Sequence, residues 1–312
     1  VRILLTGAHG LLGQKTAIVI AQESAHQLLV TDLAPQSYFR PPRFDYEQLD
    51  ITIIADVKSL ISQYRPDAII NIAAMTDVDG CETDRELCWR INVDGVKNLL
   101  VPARKLDGCH FIQISTDYVF DGSTGMYDET SRPDPVSYYG KSKLAAENAI
   151  VMSGVSSTLV RTQILYGTGY KVRNNFVSWV LSLLEKKADV PAVTDQVGNP
   201  TFVDDLAFAL ALAAERRAGG IFHISGPEAL SRYAFALKIA EVFGFDPKLV
   251  VPVVSADLGQ MAHRPADSSF VTVRFEAAFG YRCSSPLEGL RKMYHQYRHG
   301  AQHLENLLSM KF

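Results

Sequence analysis

The chain has 312 residues, 47% hydrophobic and 21% charged, a composition that fits an ordinary globular protein with a large core and length for about two domains. A net charge of −3 and a pI near 6.3 exclude a strongly basic nucleic-acid surface, and no apolar run approaches the ~18 residues of a membrane-spanning helix. Cys81, Cys88, Cys109 and Cys283 lack metal-ligand spacing and the histidines form no HExxH-type cluster, so no metal is expected and the thiols read as reduced, in a cytoplasmic protein.

Arg2 to Thr6 reads as a short apolar strand rather than a signal peptide, because no long apolar stretch follows it. Gly7-Ala8-His9-Gly10-Leu11-Leu12-Gly13 comes next, then a helix pattern to about Ser24. This is a GxxGxxG turn between strand and helix, the context that phosphate binding requires. Gly7 permits the turn, Gly10 lets backbone approach a pyrophosphate, and Gly13 lets the helix lie close; the helix N-terminus offers free N–H groups to the anion. Gln27 to Thr31 is the second strand, and Asp32 ends it. A carboxylate there accepts hydrogen bonds from ribose hydroxyls and repels a 2′-phosphate, which favours NAD, while Arg40 and Arg43 in the next loop could offset that.

Leu49 to Ile51 reads as a short third strand, with Asp50 at the adenine edge. A helix runs from Ile51 to Tyr64, and Asp67 to Ala73 is a further apolar strand ending in Asn71-Ile72-Ala73-Ala74. One long helix pattern covers residues 83–106 and carries Asn92, expected as a buried polar link between helix and strand. Phe111 to Ser115 is a buried strand that delivers Thr116 and Asp117. From Ser137 a helix begins, with Tyr139 and Lys143 at i, i+4 on one face. A cation beside a phenol lowers its pKa, so Tyr139 with Lys143 as charge partner reads as an acid or base, with the Thr116 hydroxyl near the same reacting oxygen.

Ser156 to Gln163 is the next strand. Alternating strands and helices imply a doubly wound parallel sheet, whose ligands bind at the carboxyl ends of the strands. Gly13, Asp32, Ala74, Thr116 and Gln163 all fall near those ends. Beyond Tyr166 the pattern loosens into a basic loop with Lys171 and Arg173, a helix from Asn175 to Lys187, strand and turn over 190–202, a helix from Val203 to Arg217, a strand from Gly220 to Ser225, a helix capped by Ser231, an irregular stretch over 252–275 and a helix from Leu287. Lys171, Arg173 and Arg264 are candidates for a substrate diphosphate.

The glycine turn, Asn71-Ile-Ala-Ala, Thr116 and Tyr139-Gly-Lys-Ser-Lys143 together resemble an extended short-chain dehydrogenase/reductase. More narrowly, Ser115-Thr-Asp-Tyr-Val-Phe-Asp-Gly122, Tyr139-Gly-Lys-Ser-Lys-Leu-Ala-Ala-Glu147, Asn174-Asn-Phe176, Asp195-Gln-Val-Gly-Asn-Pro-Thr201 and Arg264-Pro265 with Ser268 resemble the dTDP-4-dehydrorhamnose reductases, over roughly residues 1–295. The resemblance implies a Rossmann-type domain over 1–165 with returning segments near 200–225, and a smaller mixed substrate domain over 166–312. It implies Thr116, Tyr139 and Lys143 as the catalytic trio. Gly7, Gly10, Leu11, Leu12, Gly13, Asp32, Asp50, Ala73, Ala74, Met75, Tyr139 and Lys143 would hold NADH or NADPH. Thr116, Asp117, Asn175 and Arg264 would meet the substrate, a nucleotide-linked 4-keto-6-deoxy sugar reduced at C4. A homodimer is the assembly to test for, with no nucleic-acid or membrane partner.

Two positions depart from the family. Gln163-Ile164-Leu165-Tyr166 stands where Ser-Trp-Val-Tyr is common, and Asp267 stands where Asn is usual. The missing Trp faces the sugar in that family, so the sugar stays open. A 4,6-dehydratase lacks its carboxylate partner here, since Tyr118 occupies that position. An NAD-dependent epimerase and a non-catalytic subunit, such as the β-subunit of methionine adenosyltransferase, are the remaining alternatives.

Overall fold

A computed structural model describes residues 1–22, 26–39 and 44–298. The first half alternates as the periodicity requires: β1 (Arg2–Thr6), α1 (Leu11–Gln22), β2 (Gln27–Asp32), β3 (Asp45–Gln48), α2 (Ile54–Tyr64), β4 (Ala68–Asn71), α3 (Val78–Thr83), α4 (Arg85–Trp89), α5 (Gly95–Ala103), β5 (His110–Thr116), α6 (Tyr138–Ser153) and β6 (Ser157–Thr162). The second half contains β7 (Leu165–Tyr166), α7 (Phe176–Leu184), β8 (Val190–Val193), β9 (Val197–Gly198), β10 (Thr201–Phe202), α8 (Val203–Arg216), β11 (Gly220–His223), β12 (Leu230–Ser231), α9 (Arg232–Phe243), β13 (Val250–Val253), α10 (Val273–Phe279) and α11 (Pro286–Arg298).

Seven parallel strands form one sheet in the order β11-β6-β5-β4-β1-β2-β3. Strand order reverses between β1 and β4, which opens a crevice at their carboxyl ends. Strands such as AIIN and QLLVTD are buried along nearly their whole length because helices cover both faces. One face packs against α1, α8 and α10, and the other against α2, α5 and α6. A further apolar cluster joins β7, α7, β8, α9 and α11, with Tyr166, Phe202 and Phe235 at its centre.

Two elements differ from the sequence reading. The third strand is Asp45–Gln48, not Leu49–Ile51. It is a polar edge strand, so apolar patterning misses it; Leu49 and Ile51 are buried from the loop that follows, with the Leu49 N–H on the Asp32 carbonyl at 2.9 Å. The expected helix over 83–106 runs unbroken from Arg85 to Ala103 as α4 and α5, widened between them by a π-helical turn at Arg90–Asp94, and α3 is a separate short helix before it. That wider turn contains Asn92, whose side chain bonds Met75 N–H (2.8 Å), Met75 C=O (3.0 Å) and Ser142 Oγ (3.0 Å). Asn92 is the buried polar link that the sequence suggested. The helix expected to reach Ser24 is described as far as Gln22, and the tail from Gly300 lies outside the described residues.

Beneath the ends of β5 and β6, Arg161 clasps Glu147 of α6 through Nε (3.0 Å) and Nη2 (2.7 Å), and the Ser115 hydroxyl donates to the same carboxylate. Both charged residues are buried. Removing one partner leaves the other uncompensated, so Glu147→Ala should cost about 3–5 kcal/mol, while a Glu147→Leu/Arg161→Met double variant should recover most of that loss. Urea melts of the parent and both variants test this; equal midpoints for parent and Glu147→Ala would refute it.

Candidate active site

The glycine turn is shaped by two close approaches. Gly7 has φ of 70°, and a Cβ there would lie 2.7 Å from the Ala73 nitrogen. A Cβ on Gly13 would lie 2.1 Å from the Gly7 carbonyl oxygen, so α1 can seat on the turn only with hydrogen at that position. Gly10 differs: its nearest such contact is 3.4 Å, to Gly7 O, and the residue borders open space. Gln14 clamps the turn, with Nε2 donating to His9 C=O (2.7 Å) and Tyr170 C=O (2.8 Å).

That open space is a cleft of about 740 Å³ along the carboxyl ends of the strands. Gly7, Gly10, Leu11 and Leu12 line it at the turn. Asp32 and Asp50 line it beyond β2 and β3, and Ala73 and Ala74 beyond β4. The Asp32 carboxylate is fixed by N–H groups of His9 (2.9 Å) and Leu33 (2.8 Å). Gly13 sits under the turn, and Met75 packs behind the cleft wall, tied to Asn92. Arg40 and Arg43 lie outside the described residues.

At the other end of the cleft, β5 delivers Thr116 and Asp117, and α6 delivers Tyr139 and Lys143. Ser137 caps α6 by accepting the Gly140 N–H at 3.1 Å. A Cβ on Gly140 would lie 2.1 Å from the Tyr118 carbonyl oxygen, which is why the helix that carries Tyr139 opens with Tyr-Gly rather than Tyr-Ala. Thr116 Oγ1 donates to Asp117 Oδ1 (2.9 Å) and accepts the Tyr118 N–H (3.2 Å), beside the Tyr139 phenol. Two buried thiols that the sequence left unassigned, Cys81 of α3 and Cys88 of α4, pack against Tyr139.

Burial dominates the electrostatics. It pushes the Tyr139 phenol above its ordinary range, only partly offset by the neighbouring Thr116 hydroxyl. The spacing argument expected Lys143 to lower that pKa; instead desolvation outweighs the offset, and Asp117 acts in the same upward direction. Lys143 itself is lowered to about 8 by burial, with Glu147, one turn further along α6, opposing the shift. Asp117 is raised by burial, against hydrogen bonds from Ser268 (2.6 Å) and Thr116.

Asn175 and Arg264 do not line the cleft. Asn175 caps α7 and donates from Nδ2 to Gly167 C=O at 2.8 Å. Arg264 is paired with Asp79 through Nη1 (3.2 Å) and Nη2 (2.9 Å). Lys171 stacks on the Tyr170 ring, and Arg173 forms an exposed pair with Asp77. Ile164, at the position of the family Trp, borders the cleft with φ of 43°, a conformation costly for a β-branched residue. Arg232 was absent from the sequence reading and stands near Asp117 and Tyr118; its only signal was its place after the helix cap Ser231.

The RmlD substrate binding domain family matches residues 1–299. The chain belongs to that family. A dTDP-4-dehydrorhamnose reductase of Aggregatibacter actinomycetemcomitans is 32% identical over 304 residues, covering 94% of this chain and 98% of that protein. Among solved structures, a dTDP-4-dehydrorhamnose reductase from Clostridium acetobutylicum aligns with a TM-score of 0.86 at 32% identity, over 96% of this chain and 100% of its own. Another, from Bacillus anthracis in complex with NADP, gives a TM-score of 0.81 at 32% identity, over 95% of this chain and 99% of its own. The family resemblance and the doubly wound fold read from the sequence are thereby borne out.

The glycine geometry yields a paired prediction. Gly10→Val has room in the free protein but fills the cleft beside the turn, so it should keep the parent melting temperature and weaken NADH binding at least about 100-fold. Gly13→Ala should instead lower the melting temperature, because its methyl meets backbone. Calorimetric titration and thermal melts distinguish them; unaltered NADH affinity in Gly10→Val would contradict the assignment.

Proposed function

We propose that this protein is an NAD(P)H-dependent oxidoreductase that reduces the 4-keto group of a nucleotide-linked 4-keto-6-deoxy sugar, in the manner of a dTDP-4-dehydrorhamnose reductase. The observation that carries the reading is that Thr116, Tyr139 and Lys143 border the same cleft as the glycine turn and Asp32. A dinucleotide fits this chain's residues. The Gly10 face is open to a pyrophosphate, a helix of 12 residues starts there, and Asp32 is held at the end of β2.

When bound, the reduced nicotinamide supplies the hydride. Asp32 accepts hydrogen bonds from the adenosine ribose, and Asp50 borders the adenine. Lys143 holds the nicotinamide ribose. Tyr139 keeps its proton at neutral pH because burial raises its pKa, and that proton is the one an alkoxide at C4 needs. Thr116 stands by the same oxygen, where a donor gains strength as negative charge develops. Asp117 meets the sugar. In the same reading, residues 1–165 and about 200–225 form the dinucleotide domain and most of 166–312 the substrate domain. That division is supported by β11 joining the large sheet while α7, α9 and α11 share a separate apolar cluster. A homodimer in the cytoplasm belongs to the same proposal, and sedimentation velocity on the purified chain tests the assembly.

Tyr139→Phe keeps the ring and removes the proton donor. It should lower kcat about 10²- to 10⁴-fold and leave NADH affinity near the parent value. Tyr138→Phe is the control, because the Tyr138 ring faces Trp89 and Arg85 rather than the cleft, and it should turn over like the parent. The assay is NAD(P)H oxidation with a 4-keto-6-deoxy nucleotide sugar; parent-like turnover by Tyr139→Phe would sink the proposed role.

Lys143 gives a pH signature. Its pKa in the free protein is about 8, so its charge is present below that pH and lost above it. If the ammonium holds the ribose, the bound form favours the charged state, and NADH affinity should fall as pH rises through about 8. Lys143→Met should bind more weakly and lose this pH dependence. A parent affinity that is flat between pH 7 and pH 9.5 would exclude it.

A further inference from the structure

Arg232 opens α9, directly after the capping Ser231, and its own N–H is fixed on the Gln196 carbonyl at 3.1 Å. Its guanidinium lies over the Phe176 ring, 5.3 Å from the centroid. The side chain is recessed enough for desolvation to disfavour its charge, yet it is only half-buried and reaches water. The strand before it leads to the site: Ser231 pairs with Val197, whose carbonyl accepts the Ser268 N–H at 3.0 Å, and Ser268 in turn donates to Asp117.

The residues whose charges act on Arg232 are Tyr118, Asp117 and Arg264. Tyr118 and Asp117 directly follow Thr116, so Arg232 lies next to the sugar end of the proposed site. The Asp117 oxygens are occupied by the hydroxyls of Ser268 (2.6 Å) and Thr116 (2.9 Å). Arg264 is neutralised by Asp79. Among the described residues, no carboxylate lies within ion-pair distance of Arg232. A partly desolvated guanidinium with only an aromatic face beside it is incomplete, and an anion with two coplanar acceptors completes it.

We infer that Arg232 binds the diphosphate of the nucleotide-sugar substrate. This rests on the reading under Proposed function and adds the residue that anchors the substrate's anionic end. C1 and C4 are opposite corners of a pyranose, so a sugar with C4 at Thr116 and Tyr139 sends its anomeric phosphate away from them, past Tyr118. The dinucleotide pyrophosphate belongs at Gly10, two strands away across β4 and β1, and does not compete for Arg232. Arg264, the cation the sequence offered for the diphosphate, is held by Asp79, whereas Arg232 has no ion-pair partner among the described residues.

The test uses the full chain with NADH at saturation, titrated calorimetrically with thymidine diphosphate, uridine diphosphate and uncharged thymidine. Arg232→Met should weaken binding of the preferred nucleoside diphosphate about 10- to 100-fold. Arg232→Lys should fall between, because a point charge replaces a bidentate fork. Thymidine binding and the NADH dissociation constant should not move, which also shows that the variants are folded. With substrate, the loss should appear in KM more than in kcat. Parent-like diphosphate affinity in Arg232→Met overturns the inference, as does a parent that binds neither nucleoside diphosphate. If the parent turns over no 4-keto nucleotide sugar while Arg232→Met still loses diphosphate binding, the reductase reading falls and the Arg232 site stands.

Discussion

Three side chains in register hold the centre of the sheet. Thr6 Oγ1 donates to Asn71 Oδ1 at 2.6 Å, Asn71 Nδ2 donates to Gln113 Oε1 at 2.8 Å, and Gln113 Nε2 returns to the Ile114 carbonyl at 2.8 Å. Thr6, Asn71 and Gln113 are Cα partners on β1, β4 and β5, and all three are buried. A buried amide without partners is costly, so each residue of this row is satisfied only when the three strands are paired in this register. A slip of one residue would break the row and turn every neighbouring side chain to the opposite face. The polar row therefore fixes where each strand stops. Gly7 follows Thr6, Ile72 and Ala73 follow Asn71, and Thr116 stands three residues past Gln113.

From that edge the cleft is assembled by two contacts that only hydrogen side chains allow. Gly7 meets the Ala73 backbone across the switch point, and Gly140 meets the Tyr118 carbonyl where α6 crosses the turn after β5. The first sets the cleft floor and the second sets the depth of Tyr139. Tyr139, Lys143 and Glu147 then recur every fourth residue along one face of α6. The face runs from the Tyr139 phenol, through the Lys143 ammonium, to a carboxylate locked by Arg161 and Ser115. The buried ion pair thus anchors the helix that positions the phenol, and its carboxylate keeps Lys143 from losing its charge entirely to burial.

The parts of this architecture that depend on local rules were legible in the sequence. The glycine turn, the apolar strands, the helix start at Ser137 and the i, i+4 pair at Tyr139 and Lys143 each follow from spacing, and spacing survives folding. The parts that depend on long-range pairing were not. β3 is polar because it lies at the sheet edge, so its pattern carries no apolar signal. The π-helical turn exists because Asn92 must reach Met75 and Ser142, which lie 17 residues before it and 50 after it. Arg264 looked like a free cation until Asp79, 185 residues away, was seen to hold it. Arg232 looked like an ordinary first residue of a helix until Asp117 and Tyr118 were seen beside it. Charge in a sequence is visible, but whether it is already spent is a tertiary fact.

The same distinction governs the chemical step. Read from spacing, the Tyr139–Lys143 pair implied a phenol made acidic by its neighbour; in the fold, burial pushes the phenol the other way and lowers the lysine instead. For the reduction proposed here this is the useful direction, because that reaction would begin with a protonated Tyr139 and need its proton only after hydride has arrived. The alkoxide then formed is a far stronger base than phenolate, so transfer does not depend on an acidic phenol in the resting site. What remains is the hydroxyl of Thr116, which donates to Asp117 and accepts from the Tyr118 amide. To donate to a substrate oxygen it must turn, leaving Asp117 short of a donor. Burial shifts the Asp117 carboxyl upward against its hydrogen bonds from Ser268 and Thr116, so losing the Thr116 donor shifts it further the same way. The exclusion of water that raises the Tyr139 phenol thus acts on the Asp117 carboxyl in the same direction.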